Sequence, residues 1–353
     1  MKILVIALSG IGDALMFTPS IVKLSEASPS AQIDALVMFK GVKDIYEKLN
    51  QVNNVIFHDF LNASKISTLF FVLSLRKKYD ATICVYPSNR KEYNLISWLI
   101  GAKKRVGVKY LRQDKINLGF LNNIRVQEDD SLHNVEENFA MIEKLFCEDF
   151  KTIPRMQFTL QWDDLVYATD YLKEKFIKDD DLVIGFHAGC NTLKNHDKRR
   201  WEPEKFAELA NILSANHNAK IFLFGGNEEQ TLKEKIISSC NFKNVFSVQA
   251  FSLRHTAAIM RRCNIFVSND SSLMHVAASL RLKTVAIIGP TNVNYIYPWN
   301  TEYQIASINL DCAPCFYYSP KPLQCTRSDK QFKCIKDLPV ELVYEQVKKF
   351  LQS

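Results

Sequence analysis

Residues 265–291, IFVSNDSSLMHVAASLRLKTVAIIGPT, constrain the fold of this chain more than any other stretch. Residues 265–267 and 284–288 are unbroken apolar runs, the pattern of strands buried on both faces of a parallel sheet. Between them Asn269-Asp270-Ser271-Ser272 stands where a helix N-cap belongs, directly ahead of Leu273-Met274-His275-Val276-Ala277-Ala278. A helix N-terminus carries free N–H groups and partial positive charge, so this turn, at the carboxyl end of a buried strand, is suited to an anion. The plainer reading is an Asp or Ser cap on a crossover helix. His275 in the first helical turn and Gly289-Pro290-Thr291 after the next strand are more than a cap requires.

The same alternation runs along the chain. Residues 2–8 read as a buried strand, followed by the turn Ser9-Gly10-Ile11-Gly12-Asp13 and a helix over 14–27. Further strands are predicted at 32–38, 55–57 and 81–86, with helices at 42–49 and 66–78. The polar stretch 123–130 reads as irregular, and 135–146 as an amphipathic helix. A helix over 162–177 and the charged run Lys178-Asp179-Asp180-Asp181 lead to a second strand series at 182–186, 220–224 and 244–248. At 353 residues the chain is long enough for two cores. The predicted architecture is α/β, with two Rossmann-like halves at 1–165 and 166–338 and a site between them for two substrates. An amphipathic helix over 339–353 is expected to pack back on the N-terminal half. No stretch approaches about 18 apolar residues, so no membrane-spanning helix is predicted. Residues 1–13 read as a strand and glycine turn rather than a leader, and a cytoplasmic location is expected.

Several turns carry groups capable of chemistry. Gly10 and Gly12 permit positive φ and close approach to a ligand, although their spacing is not the full dinucleotide fingerprint. Asp13 is either a helix cap or a general base that takes a proton from an acceptor hydroxyl. Gly189 follows the first strand of the second half, and Lys198-Arg199-Arg200 stand just before Trp201. Three cations at a strand-to-helix loop suit a diphosphate, and a solvated basic loop is the alternative. Glu228 and Glu229, after Gly225-Gly226, either hold a ribose hydroxyl or complement a helix dipole.

Of nine cysteines, Cys312, Cys315, Cys325 and Cys334 form a C-x2-C-x9-C-x8-C cluster. Four thiolates so spaced close a structural zinc or iron site, or stay unligated. A reducing compartment favours metal over disulfides. Most of the other five read as small buried residues. The net charge of +7 points to an anionic partner: a nucleotide, a phosphorylated acceptor or an anionic membrane surface. Nucleic acid is the poorer candidate, because the basic residues read as dispersed and lack an aromatic platform.

Four blocks, SGIGDALMFTPSI, HAGCN followed by KRRWEPEKFAELA, FGGNEE, and NDSSLMHVAASLRLKTVAIIGPT, span nearly the whole chain. In order and spacing they resemble those of the ADP-heptose-type heptosyltransferases, glycosyltransferase family 9. The resemblance implies the GT-B fold, two Rossmann-like domains facing across a cleft, with the acceptor on the first and the nucleotide sugar on the second. It implies inverting transfer of heptose from a nucleotide diphosphate sugar, ADP-heptose, to a lipopolysaccharide core or related surface glycan. No cofactor is implied for catalysis, and the enzyme is expected in the cytoplasm with peripheral contact at the inner membrane. By the family motif Asp13 is the base, beside an acceptor turn of Ser9, Gly10 and Gly12. Gly189, Lys198, Arg199 and Arg200 belong to the donor side, where a cation before the tryptophan steadies the diphosphate. Glu228 or Glu229 holds the ribose, and Asp270, Ser271, Ser272 and His275 form the phosphate-end turn. The cysteine cluster also looks like that of many members. Two departures stand out: the triplet Lys198-Arg199-Arg200 leaves the register of the key cation open, and Ser272 replaces the family's glycine. Other readings are another nucleotide-sugar donor, a protein acceptor, or a non-catalytic nucleotide-sugar binder. A carboxylate at Asp13 argues against the last.

Overall fold

The computed structural model describes residues 1–317 and 321–352. The chain divides between Thr159 and Leu160 into two compact units. The first contains β1 (Lys2–Ala7), α1 (Ile11–Ala27), β2 (Gln32–Val37), α2 (Lys40–Tyr46), β3 (Asn54–Phe57), α3 (Lys65–Ser74), β4 (Ala81–Cys84), α4 (Lys91–Ile100), β5 (Lys104–Lys109), β6 (Ile124–Gln127) and α5 (Asn134–Phe146). The second begins with α6 (Trp162–Glu174), β7 (Val183–His187), α7 (Pro203–His217), β8 (Lys220–Leu223), α8 (Gln230–Ser238), β9 (Val245–Ser247) and α9 (Leu253–Met260). It continues with β10 (Ile265–Asn269), α10 (Ser272–Ser279), β11 (Lys283–Ile287), α11 (Val293–Ile296), β12 (Tyr303–Ala306), α12 (Lys333–Lys336) and α13 (Val340–Leu351).

Both sheets are parallel and share one plan, β3-β2-β1-β4-β5-β6 and β9-β8-β7-β10-β11-β12. The order reverses beside β1 and beside β7, which are the topological switch points where such sheets bind ligands. The two expected Rossmann-like halves are therefore present. Every residue of β7 and β10 is buried, which explains their unbroken apolar runs. In the first unit Leu4, Ile6 and Leu8 pack under Val72, Leu75, Tyr93, Ile96 and Ile100, so α3 and α4 cover one sheet face. Among the described residues no helix is long and apolar enough to cross a membrane.

The fold departs from the sequence reading at the last helix, at residues 124–127 and at the boundary between the units. The last helix, expected against the N-terminal half, belongs to the second unit. Val340, Val343, Val347 and Phe350, an apolar stripe at helical spacing, join the second unit's core with Ile184, Val267 and Leu213. Residues 124–127, expected to be irregular, form the edge strand β6, paired with β5 from Val106↔Ile124. An edge strand is only half covered, so its polar residues do not exclude it. α6 packs against α9 in the second unit, which begins at Leu160, so residues 162–165 fall on the other side of the expected 165/166 boundary.

The buried stripe of α13 should contribute directly to the second unit's stability. Val347→Ala removes two methyl groups from a fully buried side chain and should cost about 1–3 kcal/mol in urea unfolding. The neighbouring Gln346→Ala should change stability by less than about 0.5 kcal/mol. Equal effects would place the helix elsewhere.

Candidate functional site

Residues at the carboxyl ends of β7 and β10 assemble around two buried carboxylates. His187 ends β7; its Nδ1 lies 2.7 Å from Ser271 Oγ and its Nε2 3.0 Å from Glu229 Oε2. Glu229 also accepts the Gly226 N–H at 3.2 Å and stands 3.6 Å from Arg200. Burial pushes the Glu229 carboxyl up, but His187, Arg200 and the Gly226 amide outweigh it and hold the group below the usual carboxylate range. Two glycines make room for this side chain. A Cβ on Gly189 would stand 1.6 Å from Glu229 Oε1, and Gly225, at φ +148°, would bring one within 2.5 Å of Oε2.

Asp270 is the second carboxylate. Arg199 NH1 donates to its Oδ2 at 2.6 Å and the Thr291 hydroxyl donates to the same oxygen at 2.7 Å. The Arg199 guanidinium lies 5.4 Å from the centre of the Phe316 ring. Arg200 instead donates to the Cys190 carbonyl at 2.7 Å. A one-turn helix ends at Arg199, and Arg200 is extended at φ −75°, ψ 129°, so the two arginines reach different partners. Both Nε atoms are buried and have no hydrogen-bond partner among the described residues, so each is a donor that an anion would satisfy. Lys198 is exposed, 3.6 Å from Asp197, and Glu228 is exposed as well. The structure thus gathers Gly189, Arg199, Arg200, Glu229, Asp270 and Ser271, and leaves Lys198 and Glu228 at the surface.

The turn before α10 is not the side-chain cap considered above. Ser271 occupies the N-cap position in an extended conformation, but its side chain makes no cap bond. Its hydroxyl is used by His187 and by Ser268, 3.1 Å away. Among the described residues the N-cap side chain therefore leaves the first-turn N–H groups of α10 uncapped, as an anion site requires. Ser272 is already helical, so the absence of a glycine there imposes no backbone strain. His275 is buried; burial lowers its pKa to about 4 despite the Asp270 charge, so at neutral pH it is an uncharged ring.

In the first unit Asp13 is the third residue of α1, and its Oδ2 accepts the Gly10 N–H at 3.0 Å. The Ser9 hydroxyl donates to the Pro87 carbonyl at 2.7 Å, tying the ends of β1 and β4 together. The expectation of positive φ at Gly10 and Gly12 fails. Gly10 has φ −70° as the N-cap residue, and Gly12 lies inside α1, which starts three residues earlier than expected.

Sequence reasoning overlooked several supports. Asn269 accepts the Trp201 N–H at 3.0 Å and donates to the Ala188 carbonyl at 2.7 Å. The Trp201 indole donates to Leu338 O at 3.0 Å. Lys233, buried on α8, donates to the carbonyls of Gly225 at 3.3 Å and Val248 at 2.8 Å. Its position four residues after Glu229, on the same helical face, was the available signal.

The four terminal cysteines are not arranged as a ligand set. Among the described residues no group of three or more His, Cys, Asp or Glu is placed to hold a metal ion. The Phe332 N–H donates to Cys325 Sγ at 3.2 Å and Arg327 to Cys312 Sγ at 3.6 Å. Cys315 N–H donates to the Pro290 carbonyl at 3.0 Å, joining this segment to the Gly-Pro-Thr loop.

The model of glycosyltransferase family 9 (heptosyltransferase) matches residues 71–325. The chain is 25% identical over 352 residues to lipooligosaccharide heptosyltransferase 2 of Campylobacter jejuni serotype O:6, covering 99% of each. It is 26% identical over 320 residues to lipopolysaccharide heptosyltransferase 2 of Salmonella typhimurium, covering 86% of this chain and 87% of that one. The solved E. coli ADP-heptose LPS heptosyltransferase II superposes with a TM-score of 0.75 at 21% identity, covering 100% of this chain and 99% of that one. The fold expected from the resemblance, GT-B built from two Rossmann-like domains, is the fold found.

The buried His275 gives the site a pH signature. Its folded pKa, about 4, lies below the unfolded 6.5. Above pH 6.5 both states are neutral there; below it the unfolded state takes up a proton that the folded state refuses. Stability should therefore fall as pH drops from 6.5 toward 4, by about 3 kcal/mol in all for this group. In urea melts across that window His275→Asn should flatten the slope by about one proton; an unchanged slope would assign it to other groups.

Proposed function

The chain belongs to glycosyltransferase family 9, the heptosyltransferase family, and from that membership we propose that it is an inverting heptosyltransferase. Its donor is ADP-heptose and its acceptor the core region of a lipopolysaccharide or lipooligosaccharide. It works without a catalytic cofactor, from the cytoplasmic side and in peripheral contact with the inner membrane. The observation that carries the donor half is the turn at the β7/β10 switch point. There the uncapped N-terminus of α10 lies beside Arg199 and Arg200, whose buried Nε donors lack partners among the described residues.

In this reading the acceptor hydroxyl oxygen attacks the anomeric carbon of the heptose. The bond from that carbon to the β-phosphate oxygen breaks, and ADP leaves with the electron pair. Asp13 receives the hydroxyl proton. Arg199 and Arg200 are balanced by Asp270 and Glu229, so the side chains bring little net charge to the donor. Directed N–H bonds from α10 and the guanidinium groups then meet the charge growing on the departing phosphate. Glu229, fixed by its glycine cradle, holds a ribose hydroxyl.

Asp13→Asn should lower transfer by about 100-fold or more while keeping the thermal shift induced by ADP-heptose. Wild-type transfer by this variant would remove Asp13 as the base. A shift with UDP or GDP sugars and none with ADP-heptose would overturn the donor.

We also propose that Cys312, Cys315, Cys325 and Cys334 take a structural zinc or iron, which requires the thiols to draw together from the positions described. Their common neighbourhood supports this: burial, then the charges of Cys315, Cys325 and Cys312, push the Cys334 thiol up to about 11. Protein purified without added metal should carry close to one equivalent of zinc or iron. Less than about a tenth of an equivalent would dismiss the site.

A further inference from the structure

α3 is apolar on two faces. Val72 belongs to the core beneath it, as does Leu75 just beyond its end. A second stripe at helical spacing faces outward: Ile66 and Phe70 are each 69% exposed, with Leu69 between them. α4 lies alongside and continues the band with exposed Leu95 and with Trp98, 48% exposed. The one-turn helix Gly119–Leu121, next to α4, adds exposed Phe120. Large side chains left uncovered on three neighbouring elements mark an interaction surface rather than scattered exposure.

The charge around this band indicates what covers it. Residues 61–120 hold twelve Lys and Arg against three Asp and Glu, a net +9 in a chain whose total is +7. The basic residues are concentrated here, not dispersed. Lys65 opens α3, Arg76, Lys77 and Lys78 follow it, and Lys103 and Lys104 follow α4; all are exposed. None of these six forms an ion pair among the described residues. An apolar band with a rim of uncommitted cations matches an anionic phospholipid surface, with lipid tails for the rings and headgroups for the lysines. A second copy of the chain would bring the same positive rim against itself.

We infer that the outer face of α3 and α4, with Phe120, docks the protein on an anionic membrane. This names the surface behind the peripheral contact proposed above. Its test uses no sugar or acceptor, so its failure leaves the transfer reading untouched.

The full chain should co-sediment with phosphatidylglycerol/phosphatidylethanolamine vesicles at least about threefold better than with phosphatidylcholine vesicles, and half-molar salt should weaken binding. The triple variant Ile66→Ser, Leu69→Ser, Phe70→Ser should lose about fivefold or more in vesicle binding. Its transfer to a soluble, lipid-free acceptor should stay within about twofold. Wild-type vesicle binding by the triple variant would overturn the proposal, as would no preference for anionic vesicles. Vesicle-independent dimerisation abolished by the same substitutions would assign the face to a second copy instead. Lys77→Glu with Lys78→Glu, which leaves the apolar side chains in place, should reduce binding to anionic vesicles alone; equal loss on both vesicle types would also overturn it.

Discussion

Arg199, largely covered, meets the buried Asp270, and much of the face at the carboxyl ends of β7 and β10 is arranged around their contact. A buried ion pair contributes little net stability, yet losing one partner is costly, about 3–5 kcal/mol, because a bare charge remains. The value of this pair is positional. Asp270 draws Thr291 of the Gly-Pro-Thr loop to the same oxygen that Arg199 holds, and Arg199 lies against Phe316 from the cysteine segment. Four stretches far apart in sequence are thereby registered at the mouth of one parallel sheet before any ligand arrives, which is the preorganisation that transfer chemistry demands.

Much of the fold was legible because its strongest signals are local. The unbroken apolar runs of β7, β10 and β11 announce strands covered on both faces, and the polar turn before Leu273 announces a helix start. The stripe on α13 was equally plain, but a stripe states only that a helix is covered, not by what. β6 escaped notice because an edge strand needs little hydrophobic pattern. The site was legible in its parts and not in its pairings. His187 meets residues 42 and 84 positions away, distances at which sequence patterns carry no geometry. Which of three adjacent cations enters the site depends on a change from a helical turn to extended backbone between Arg199 and Arg200. The glycines reverse the same lesson: Gly10 and Gly12 looked conformational and are not, whereas Gly189 and Gly225 are required by the volume of one carboxylate.

The chain's positive charge also falls in a different place from the one its total first suggested. A surplus of +7 invites the idea of a basic nucleotide site, but Arg199 and Arg200 stand against Asp270 and Glu229, and the buried His275 is uncharged at neutral pH. The surplus lies on α3, α4 and the segments that follow them. The paired arginines at the β7/β10 switch point and the unpaired cations of the first unit are therefore separate features, and salt screens the exposed, unpaired ones more strongly.

The depths at which three of the four tryptophans sit make them distinguishable light sources. Trp201 is sealed in the core beside Arg200 and bonded to the Leu338 carbonyl, whereas Trp162 is 79% exposed and Trp98 stands on the apolar band of the first unit. Indole emission depends on its surroundings, so Trp201 reports whether Asn269 at the end of β10 and Leu338 just before α13 remain joined. Trp98 reports what touches the outer face of α4. Protein that carries only one of them would read each region optically, without a label.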